Sequence, residues 1–278
     1  MEKILINIIA SDLDGTLLNK EFKLDSYIET GLDQLQKRKK EFVVVTGRTL
    51  HGVYSLSYFK TNPVYIIAMN GALILDKNHN VIYKNTIDKD VIVDIYQRFT
   101  HIEFVAEDKV YMSISKDEYL NYYGKWTIWQ KKLGEENCLK YHLSQYVFDV
   151  PLDTILKEDI LKINGLELND NKYQNMKKYV KKYSSLVNAP FADHVIELTN
   201  KSISKKDCLR YLCKRNGWNE DEVAVFGDGG NDIEMLTYFK NSYAPENVIE
   251  EAKKAVNKIV PSNTEYGVIN EILNLNYS

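Results

Sequence analysis

The chain has 278 residues, of which 44% are hydrophobic and 27% are charged, so it can bury the cores of two domains. Its net charge of −3 argues against a surface that binds nucleic acid. No stretch reaches the roughly 18 apolar residues of a membrane span, and the first residues lack the apolar core of a signal peptide. Cys138, Cys208 and Cys213 lack metal-ligand spacing, which is typical of reduced thiols. We therefore expect a cytoplasmic protein with no nucleic-acid or membrane partner.

Apolar runs alternate with helical patterns over the first third of the chain. Residues 4–10, 42–45 and 64–68 predict strands that are buried on both faces. Apolar residues at helical spacing over 24–39, and a helix expected at 50–60, separate these strands. Strand–helix–strand units of this kind predict a parallel sheet in an α/β fold.

A change of pattern after residue 83 predicts an inserted domain. A hairpin with a polar turn ends there. Shorter strands mixed with helices follow, and residues 84–189 hold 15 of the 32 aromatic residues. From residue 193 the first pattern returns. Its predicted elements are a helix at 203–216, a strand at 222–226, a helix at 232–239, a strand at 241–244, and helices near 246–256 and 266–275. We therefore predict a core of residues 1–83 and 190–278, and an inserted α/β domain of residues 84–189.

Two aspartates follow the first predicted strand at a spacing that suits a shared task. Asp12 and Asp14 are two residues apart, and side chains at that spacing on an extended segment share a face. Gly15 permits a sharp turn directly after them. An ordinary turn explains the motif equally well when it is taken alone. A calcium-binding EF-hand does not, because the positions of its glycine and glutamate hold Leu17 and Lys23.

A second acidic cluster, at residues 227–232, follows the strand predicted at 222–226. Ligands of parallel sheets bind at the carboxyl ends of strands, so Asp228 is expected near Asp12 and Asp14. Helix capping also explains acidic residues at this position. The glycines do not form a dinucleotide fingerprint, because Asp232 occupies the third glycine position, and no P-loop lysine follows.

Two further segments carry groups that suit an anion. Thr46 and Gly47 follow a predicted strand, where a hydroxyl and a main-chain amide can hold phosphate oxygens, although a simple turn is the alternative. Lys205 opens a helix, and its charge opposes the helix dipole. We expect an anionic group beside Lys205, with a solvated surface lysine as the alternative.

Together these motifs resemble the haloacid dehalogenase superfamily, and most closely its Cof-type phosphatases with a large α/β cap. The segments that carry the resemblance are residues 12–18, 46–48, 70–72, 205, 227–232, 244–247 and 267–268. Gly230, Pro245 and Val248 depart from the commoner residues of the family, and none of them replaces a presumed catalytic group. The resemblance implies a doubly wound, Rossmann-like parallel-sheet core with an inserted α/β cap domain that closes over the site.

The resemblance also implies a role for each acidic residue. Asp12 would be the nucleophile that forms an aspartyl-phosphate. Asp14 would act as general acid and base, and crowding by other acids is expected to favour its protonated form. Mg²⁺ would be bound by the Asp12 carboxylate, the Asp14 main-chain carbonyl and Asp228. Asp232 would hold a metal-bound water or, alternatively, bind the metal directly.

Other positions would contact the phosphate or the rest of the substrate. Lys205, Thr46 and main-chain amides near Leu13 and Gly47 would stabilise the phosphate oxygens. The residues expected beside the substrate or behind the ligands are Arg48, Asn70, Gly71, Asn231 and Asn247.

The resulting expectation is a Mg²⁺-dependent phosphatase for a small phosphorylated metabolite such as a sugar phosphate, a nucleotide or a phosphorylated cofactor. A phosphomutase or phosphotransferase and a catalytically silent sensor of phosphorylated ligands are the alternatives. The site chemistry suits Mn²⁺ as well as Mg²⁺. We expect a monomer or a weak homo-oligomer.

Overall fold

The computed structural model describes residues 5–131, 143–190, 193–202 and 204–275. Over 125–131 it describes the backbone alone. The chain forms two compact units. The first consists of Met1–Arg48, Gly52–Lys84 and Ile203–Ser278, and the second of Thr49–His51 and Asn85–Ser202. The second unit is therefore an insertion into the first. Among the described helices, none is both long enough and apolar enough to span a membrane.

Two sheets contain the strands of the described chain. Numbered in chain order, the strands are β1 (Ile8–Ser11), β2 (Glu41–Val45), β3 (Tyr65–Ala68), β4 (Leu73–Leu75), β5 (Val81–Lys84), β6 (Ile102–Val105), β7 (Val110–Tyr111), β8 (Tyr146–Val147), β9 (Lys162–Leu166), β10 (Leu186–Asn188), β11 (Val195–Asn200), β12 (Val223–Phe226), β13 (Asn241–Pro245) and β14 (Lys258–Val260). The first unit holds an eight-stranded sheet in the order β14-β13-β12-β1-β2-β3-β4-β5, and the second a six-stranded sheet in the order β10-β11-β9-β6-β7-β8.

The sheet of the first unit is doubly wound about β1. The chain passes from β1 through β2 to β3 on one side, and later from β12 through β13 to β14 on the other. These six strands pair in parallel, and β4 and β5 add an antiparallel edge. Every residue of β1 is buried, as the continuous apolar run predicts for a central parallel strand. The predicted α/β fold with a parallel sheet is confirmed.

Helices connect these strands, and local side-chain chemistry explains several of their ends. The helices are Ser26–Lys37, Leu50–Tyr54, Ser57–Thr61, Lys89–Arg98, Lys116–Lys131, Leu152–Ile155, Asp170–Val180, Lys205–Asn216, Ile233–Tyr238, Glu250–Lys253 and Gly267–Asn274. The Asp25 carboxylate accepts hydrogen bonds from the amides of Tyr27 and Ile28 and so caps the first helix. Gly217 ends the helix Lys205–Asn216 in a left-handed conformation. Residues 50–60 form two helices rather than one, because Leu56 adopts an extended conformation between them.

The boundary between the units differs from the predicted one at its second crossing. The first crossing lies after Lys84, one residue later than predicted, but the second unit continues to Ser202 rather than 189. The reason is β11, which sequence analysis did not predict and which pairs antiparallel with β9 in the second sheet. Five of its six residues are buried although only three of them are apolar, so the sequence pattern does not show to which unit this strand belongs. Strand β14 was also not predicted.

Two of the cysteines lie in the core of the first unit. Cys208 and Cys213 are free and buried in the first unit, and burial raises the pKa of Cys213 to about 12. Burial raises the pKa of Cys208 as well. These thiols are therefore protonated and part of the core. Cys138 lies outside the described residues.

Asp94, in the second unit, lies against one ammonium and two phenols. Lys182 Nζ lies 2.7 Å from Asp94 Oδ2, Tyr179 Oη donates to that oxygen at 2.8 Å, and Tyr183 Oη donates to it as well. The hydrogen bonds from Lys182, Tyr183 and Tyr179 lower the pKa of Asp94 to about 2. The carboxylate form of Asp94 therefore stabilises the folded state.

We expect Asp94→Asn to lower the free energy of unfolding at neutral pH by about 1 kcal/mol or less, because the carboxylate is partly exposed. The folded-state pKa lies below the unfolded-state value, so this contribution is present above about pH 4 and is lost towards about pH 2. Urea denaturation of both proteins over this range measures it. A difference that stays constant on acidification would contradict the assignment.

Candidate active site

The carboxyl ends of β1 and β12 lie side by side, and their adjacency brings the two acidic motifs together. The strands pair in parallel with Ser11 opposite Phe226, and the Asp12 amide donates to Phe226 O at 2.9 Å. One carboxylate oxygen from each of Asp12, Asp228 and Asp232 lies within 4.8 Å of the other two. The structure therefore places these aspartates in one cluster at the strand ends.

Lys205 reaches this cluster from the first turn of the helix Lys205–Asn216. Its ammonium lies 2.8 Å from Asp12 Oδ1 and 2.7 Å from Asp232 Oδ1, and only 1% of its side chain is exposed. A buried ammonium requires opposite charges beside it. Asp12 and Asp232 are thus the anionic groups that sequence analysis expected, and Lys205 is not a solvated surface lysine. Lys206, by contrast, is partly exposed and lies near surface acids.

The charges of the cluster shift one another's pKa values. Burial raises the pKa of Asp12 well above its ordinary value, and the attraction of Lys205 offsets only part of this, while Asp232 and Asp228 raise it further. Burial also raises the pKa of Asp228 to about 6. For Lys205, burial lowers the pKa, but the charges of Asp12 and Asp232 outweigh it, so the pKa stands above its ordinary value. The three acids exceed the one ammonium, and the cluster would gain from a further cation.

Asp232 both caps a turn and pairs with Lys205. Its Oδ2 accepts hydrogen bonds from the amides of Asp228 at 3.1 Å and Gly229 at 3.0 Å, and its Oδ1 accepts from Lys205. Helix capping, the alternative considered for this residue, is therefore present in the structure. It coexists with a position inside the acidic cluster, because the two carboxylate oxygens face different partners.

Asp14 faces a guanidinium. Arg48 Nε donates to Asp14 Oδ2 at 2.7 Å, and Arg48 Nη2 lies 2.5 Å from Asp14 Oδ1, which makes the pair bidentate. The Asp14 side chain is 40% exposed, unlike the buried Asp12. Sequence analysis expected crowding by acids around Asp14, and the contact with Arg48 is the feature that it missed.

Thr46 and Asn70 lie next to each other at the carboxyl ends of β2 and β3. Thr46 is buried, its hydroxyl accepts a hydrogen bond from the Arg48 amide at 3.1 Å, and its carbonyl accepts from the Asn70 amide at 3.0 Å. Asn231 Nδ2 donates to Asn70 Oδ1 at 2.9 Å, which joins this segment to the second acidic motif. A Cβ on Gly47 would lie 3.1 Å from Asn70 Oδ1, so the glycine permits a close approach.

Three predicted residues have positions that limit what they can do. The Leu13 side chain is fully buried in the core, so its main chain alone is available to a ligand. Gly71 has a φ of +108°, and a Cβ there would lie 2.6 Å from Cys208 Sγ, so its close neighbour is the core thiol. Asn247 is exposed, and its Nδ2 donates to Gly15 O at 2.8 Å.

Thr16 is a residue of this cluster that sequence analysis missed. It is fully buried, and its hydroxyl donates to Asp228 Oδ1 at 2.6 Å. The signal was present in the sequence, because the hydroxyl directly follows Gly15 in the turn after Asp12 and Asp14. Only the pairing of β1 with β12 shows that this hydroxyl meets the other acidic motif.

The donor set of the cluster suits a hard divalent cation. Asp12, Asp228 and Asp232 offer carboxylate oxygens, which are the ligands that Mg²⁺ prefers, and the negative charge exceeds that of Lys205. Nitrogen and sulfur ligands do not belong to this group of residues. The residues present therefore fit a magnesium ion.

Known proteins of one family resemble this chain along most of its length. Residues 9–272 match the model of the haloacid dehalogenase-like hydrolase family. The chain is 27% identical over 277 residues to the 5-amino-6-(5-phospho-D-ribitylamino)uracil phosphatase YbjI of Escherichia coli, across 96% of this chain and 95% of that protein. It is 26% identical over 279 residues to the phosphatase YwpJ of Bacillus subtilis, across 95% and 97% of the two chains.

A solved structure supports the fold. The haloacid dehalogenase-like hydrolase from Bacteroides thetaiotaomicron matches with a TM-score of 0.81 at 21% identity, across 97% of this chain and 99% of that chain. The family match extends over nearly the whole chain and includes both acidic motifs. Both of these relatives, which match over 95% or more of their length, are named as phosphatases. The chain therefore belongs to the haloacid dehalogenase-like hydrolases and is a phosphatase of that family.

Proposed function

We propose that this phosphatase is a Mg²⁺-dependent phosphomonoesterase that acts on small phosphorylated metabolites of the cytoplasm through an aspartyl-phosphate intermediate. The observation that carries the proposal is the buried cluster of Asp12, Asp228 and Asp232 around the Lys205 ammonium. A carboxylate nucleophile beside a cation site and a fixed positive charge provides what phosphoryl transfer requires.

Asp12 is the proposed nucleophile. Its carboxylate attacks phosphorus, a bond forms between an Asp12 oxygen and phosphorus, and the ester bond to the leaving oxygen breaks. The contact between Lys205 and Asp12 Oδ1, at 2.8 Å, fixes the orientation of the carboxylate. Because Lys205 is buried against two acids, its charge needs no rearrangement to stabilise the phosphate oxygens as charge develops on them.

Asp14 is the proposed general acid and base. It donates a proton to the leaving alkoxide in the first step and accepts a proton from the water that hydrolyses the intermediate in the second. Both of its oxygens contact Arg48 in the structure. Each oxygen keeps a second lone pair that can take part in proton transfer, so Arg48 can hold Asp14 in place during the reaction.

Mg²⁺ would be held by the carboxylates of Asp12 and Asp228 and by the main-chain carbonyl of Asp14. Asp232 would act through a metal-bound water, because Lys205 and two main-chain amides already engage both of its oxygens. When bound, the ion neutralises the repulsion between the Asp12 carboxylate and the anionic phosphate. The fit is supported by the excess of carboxylates over ammonium in the cluster.

The phosphate oxygens are proposed to contact the Thr46 hydroxyl, the amides of Leu13 and Gly47, and Lys205. The selection of the leaving group is assigned to the inserted unit, as the resemblance to capped family members implies. The relative from Escherichia coli is named for a phosphorylated ribityl compound. Phosphate esters of polyhydroxylated small molecules are therefore the first compounds to test.

Phosphate release from a panel of sugar phosphates, nucleotides and phosphorylated cofactors tests the proposal. We expect release with Mg²⁺, no release with EDTA, and recovery when Mg²⁺ is added back in excess. The same assay with Mn²⁺ in place of Mg²⁺ compares the rates of phosphate release that the two ions support. Release that persists in EDTA would contradict metal dependence, and transfer of phosphate to a sugar without net release would favour a phosphotransferase.

We expect Gly15→Ala to raise the Mg²⁺ concentration required for half-maximal activity by tenfold or more. Gly15 has a φ of +75°, and a Cβ there would lie 2.3 Å from Asp228 Oδ2, so the metal-binding carboxylate has to move. Phosphate release during a Mg²⁺ titration, with thermal unfolding in parallel, measures the effect.

Gly217→Ala is the matched control. Its φ is +69° and no atom lies within 4 Å of the position that a Cβ would occupy there, so it shares the backbone strain, about 1 kcal/mol, without the clash. Equal effects of the two substitutions on the Mg²⁺ requirement would show that strain alone is responsible.

A further inference from the structure

The loop that follows β1 carries Asp14 and is held in an unusual turn. Residues Leu13–Leu17 form a single wide helical turn, closed by a hydrogen bond from the Leu18 amide to Leu13 O at 2.9 Å. Asp14 and Gly15 inside it depart from helical dihedral angles. Such a turn has little hydrogen bonding of its own, so other contacts are needed to fix its shape.

Asn247 holds the middle of this turn. It lies in the loop after β13, and its Nδ2 donates to Gly15 O at 2.8 Å. Its Oδ1 accepts hydrogen bonds from Ser262 Oγ and from the Asn263 amide, both at 3.2 Å. Asn247 therefore connects the turn to the loop after β14.

Asn263 holds the end of the turn. It is the first residue of a short helical turn after β14, and only 8% of it is exposed. Its Nδ2 donates to Leu18 O at 2.9 Å. A buried primary amide is costly unless it is hydrogen-bonded, so this contact is a specific one. Two side-chain amides from adjacent loops thus bind two carbonyls of the same turn.

We propose that Asn247 and Asn263, which we call the asparagine clamp, are positioning residues that hold Asp14 where it can transfer a proton. The carbonyl bound by Asn247 belongs to Gly15, which lies between Asp14 and Thr16, and Thr16 contacts Asp228. Without the clamp, the turn can shift while β1 and Asp12 stay in the sheet. Displacements of about 1 Å at a catalytic group can reduce a rate by about a hundredfold.

This inference rests on the proposed role of Asp14 and goes beyond it, because it assigns a task to residues that touch neither substrate nor metal. A loss of Asp14 alignment affects esters with a poor leaving group, whose alkoxide requires a proton. It hardly affects kcat/KM for para-nitrophenyl phosphate, because this quantity reports the phosphorylation of Asp12 and the phenolate leaves unprotonated. A merely structural role would affect both substrates alike.

The experiment compares Asn263→Leu and Asn247→Asp with the parent protein at saturating Mg²⁺. We expect kcat/KM for glycerol phosphate to fall by about ten- to a hundredfold, and that for para-nitrophenyl phosphate by less than about threefold. Hydrogen exchange of the peptide covering residues 13–18 is the second measurement, and we expect it to accelerate in both variants. Asn247 is exposed, so its variant keeps the test valid if Asn263→Leu fails to fold.

Asn241→Leu is the matched control. Asn241 Nδ2 also donates to two main-chain carbonyls, of Asp221 at 2.9 Å and Val223 at 3.2 Å, but at the opposite end of the sheet. We expect it to lower the melting temperature without changing the ratio between the two substrates or the exchange of residues 13–18.

Two results would overturn the clamp. One is an equal fall of kcat/KM for both substrates, and the other is unchanged hydrogen exchange of residues 13–18. The variant Asp14→Asn distinguishes a wrong role of the asparagine clamp from a wrong role of Asp14 in the proposed function. If Asp14→Asn also affects both substrates alike, the assigned role of Asp14 is wrong, whereas the exchange measurement still decides whether the asparagines hold the turn.

Discussion

Asp12→Asn is expected to reduce kcat for phosphate release by roughly 10⁴- to 10⁶-fold, because the amide cannot form the acyl-phosphate bond. The substitution retains the size of the side chain and an acceptor oxygen for Lys205, which lies 2.8 Å from Asp12 Oδ1. It also removes one of the acids that crowd the cluster, so we expect the fold to persist. Phosphate release at saturating substrate and Mg²⁺, together with thermal unfolding, measures both effects.

Asp228→Asn is the control that separates the nucleophile from a metal ligand. It leaves Asp12 unchanged and weakens the cation site, so its activity should recover when the Mg²⁺ concentration is raised. Asp12→Asn should not recover under the same conditions. Recovery of Asp12→Asn at high Mg²⁺ would show that Asp12 binds the metal but does not attack phosphorus.

Lys205→Met is expected to lower the free energy of unfolding at neutral pH by about 3–5 kcal/mol, because it leaves two buried carboxylates without their counter-charge. Lys205 is 1% exposed and contacts both Asp12 and Asp232 at less than 3 Å. Methionine fills a similar volume, so lost packing contributes little. Urea denaturation without metal measures the effect, and added Mg²⁺ should restore part of the stability by binding to the uncompensated negative charge.

Lys206→Met provides the comparison, since this neighbouring lysine is partly exposed and its Nζ lies 3.2 Å from Glu234 Oε2. We expect it to cost less than about 1 kcal/mol. Adding Asp232→Asn to Lys205→Met should recover part of the lost stability by removing one of the two unpaired charges. An effect of Lys205→Met no larger than that of Lys206→Met would contradict the buried ion pairs.

The residues of the candidate site were recognisable from local chemistry. Two carboxylates, two residues apart, stand before Gly15 and follow an apolar run. Asp228 stands among glycines and also follows an apolar run. The carboxyl ends of parallel strands face the same edge of a sheet. That rule sufficed to predict the meeting of Asp12 and Asp228. The contact of Arg48 with Asp14 could not be derived in this way, because it depends on the direction of a long side chain that suits several partners.

Strand β11 shows a second limit of prediction from sequence, which concerns the sheet that a strand joins. Its residues are buried almost throughout, as those of β1 are, so periodicity identifies neither the sheet nor the unit to which it belongs. Pairing with β9 assigned it to the second unit, and moved the boundary to Ser202. The choice between two sheets is made by contacts between segments far apart in the chain.

The class of the fold, the acidic motifs and the family are readable in the linear sequence, because apolar runs, turn residues and motif spacing are properties of neighbouring residues. The burial of Lys205 between Asp12 and Asp232, and the binding of the turn after β1 by Asn247 and Asn263, become visible in the folded chain alone. Whether a charged side chain is buried, and which group a side-chain amide binds, depend on which distant segments of the chain meet. Packing of the whole first unit settles those contacts, and no local pattern encodes them.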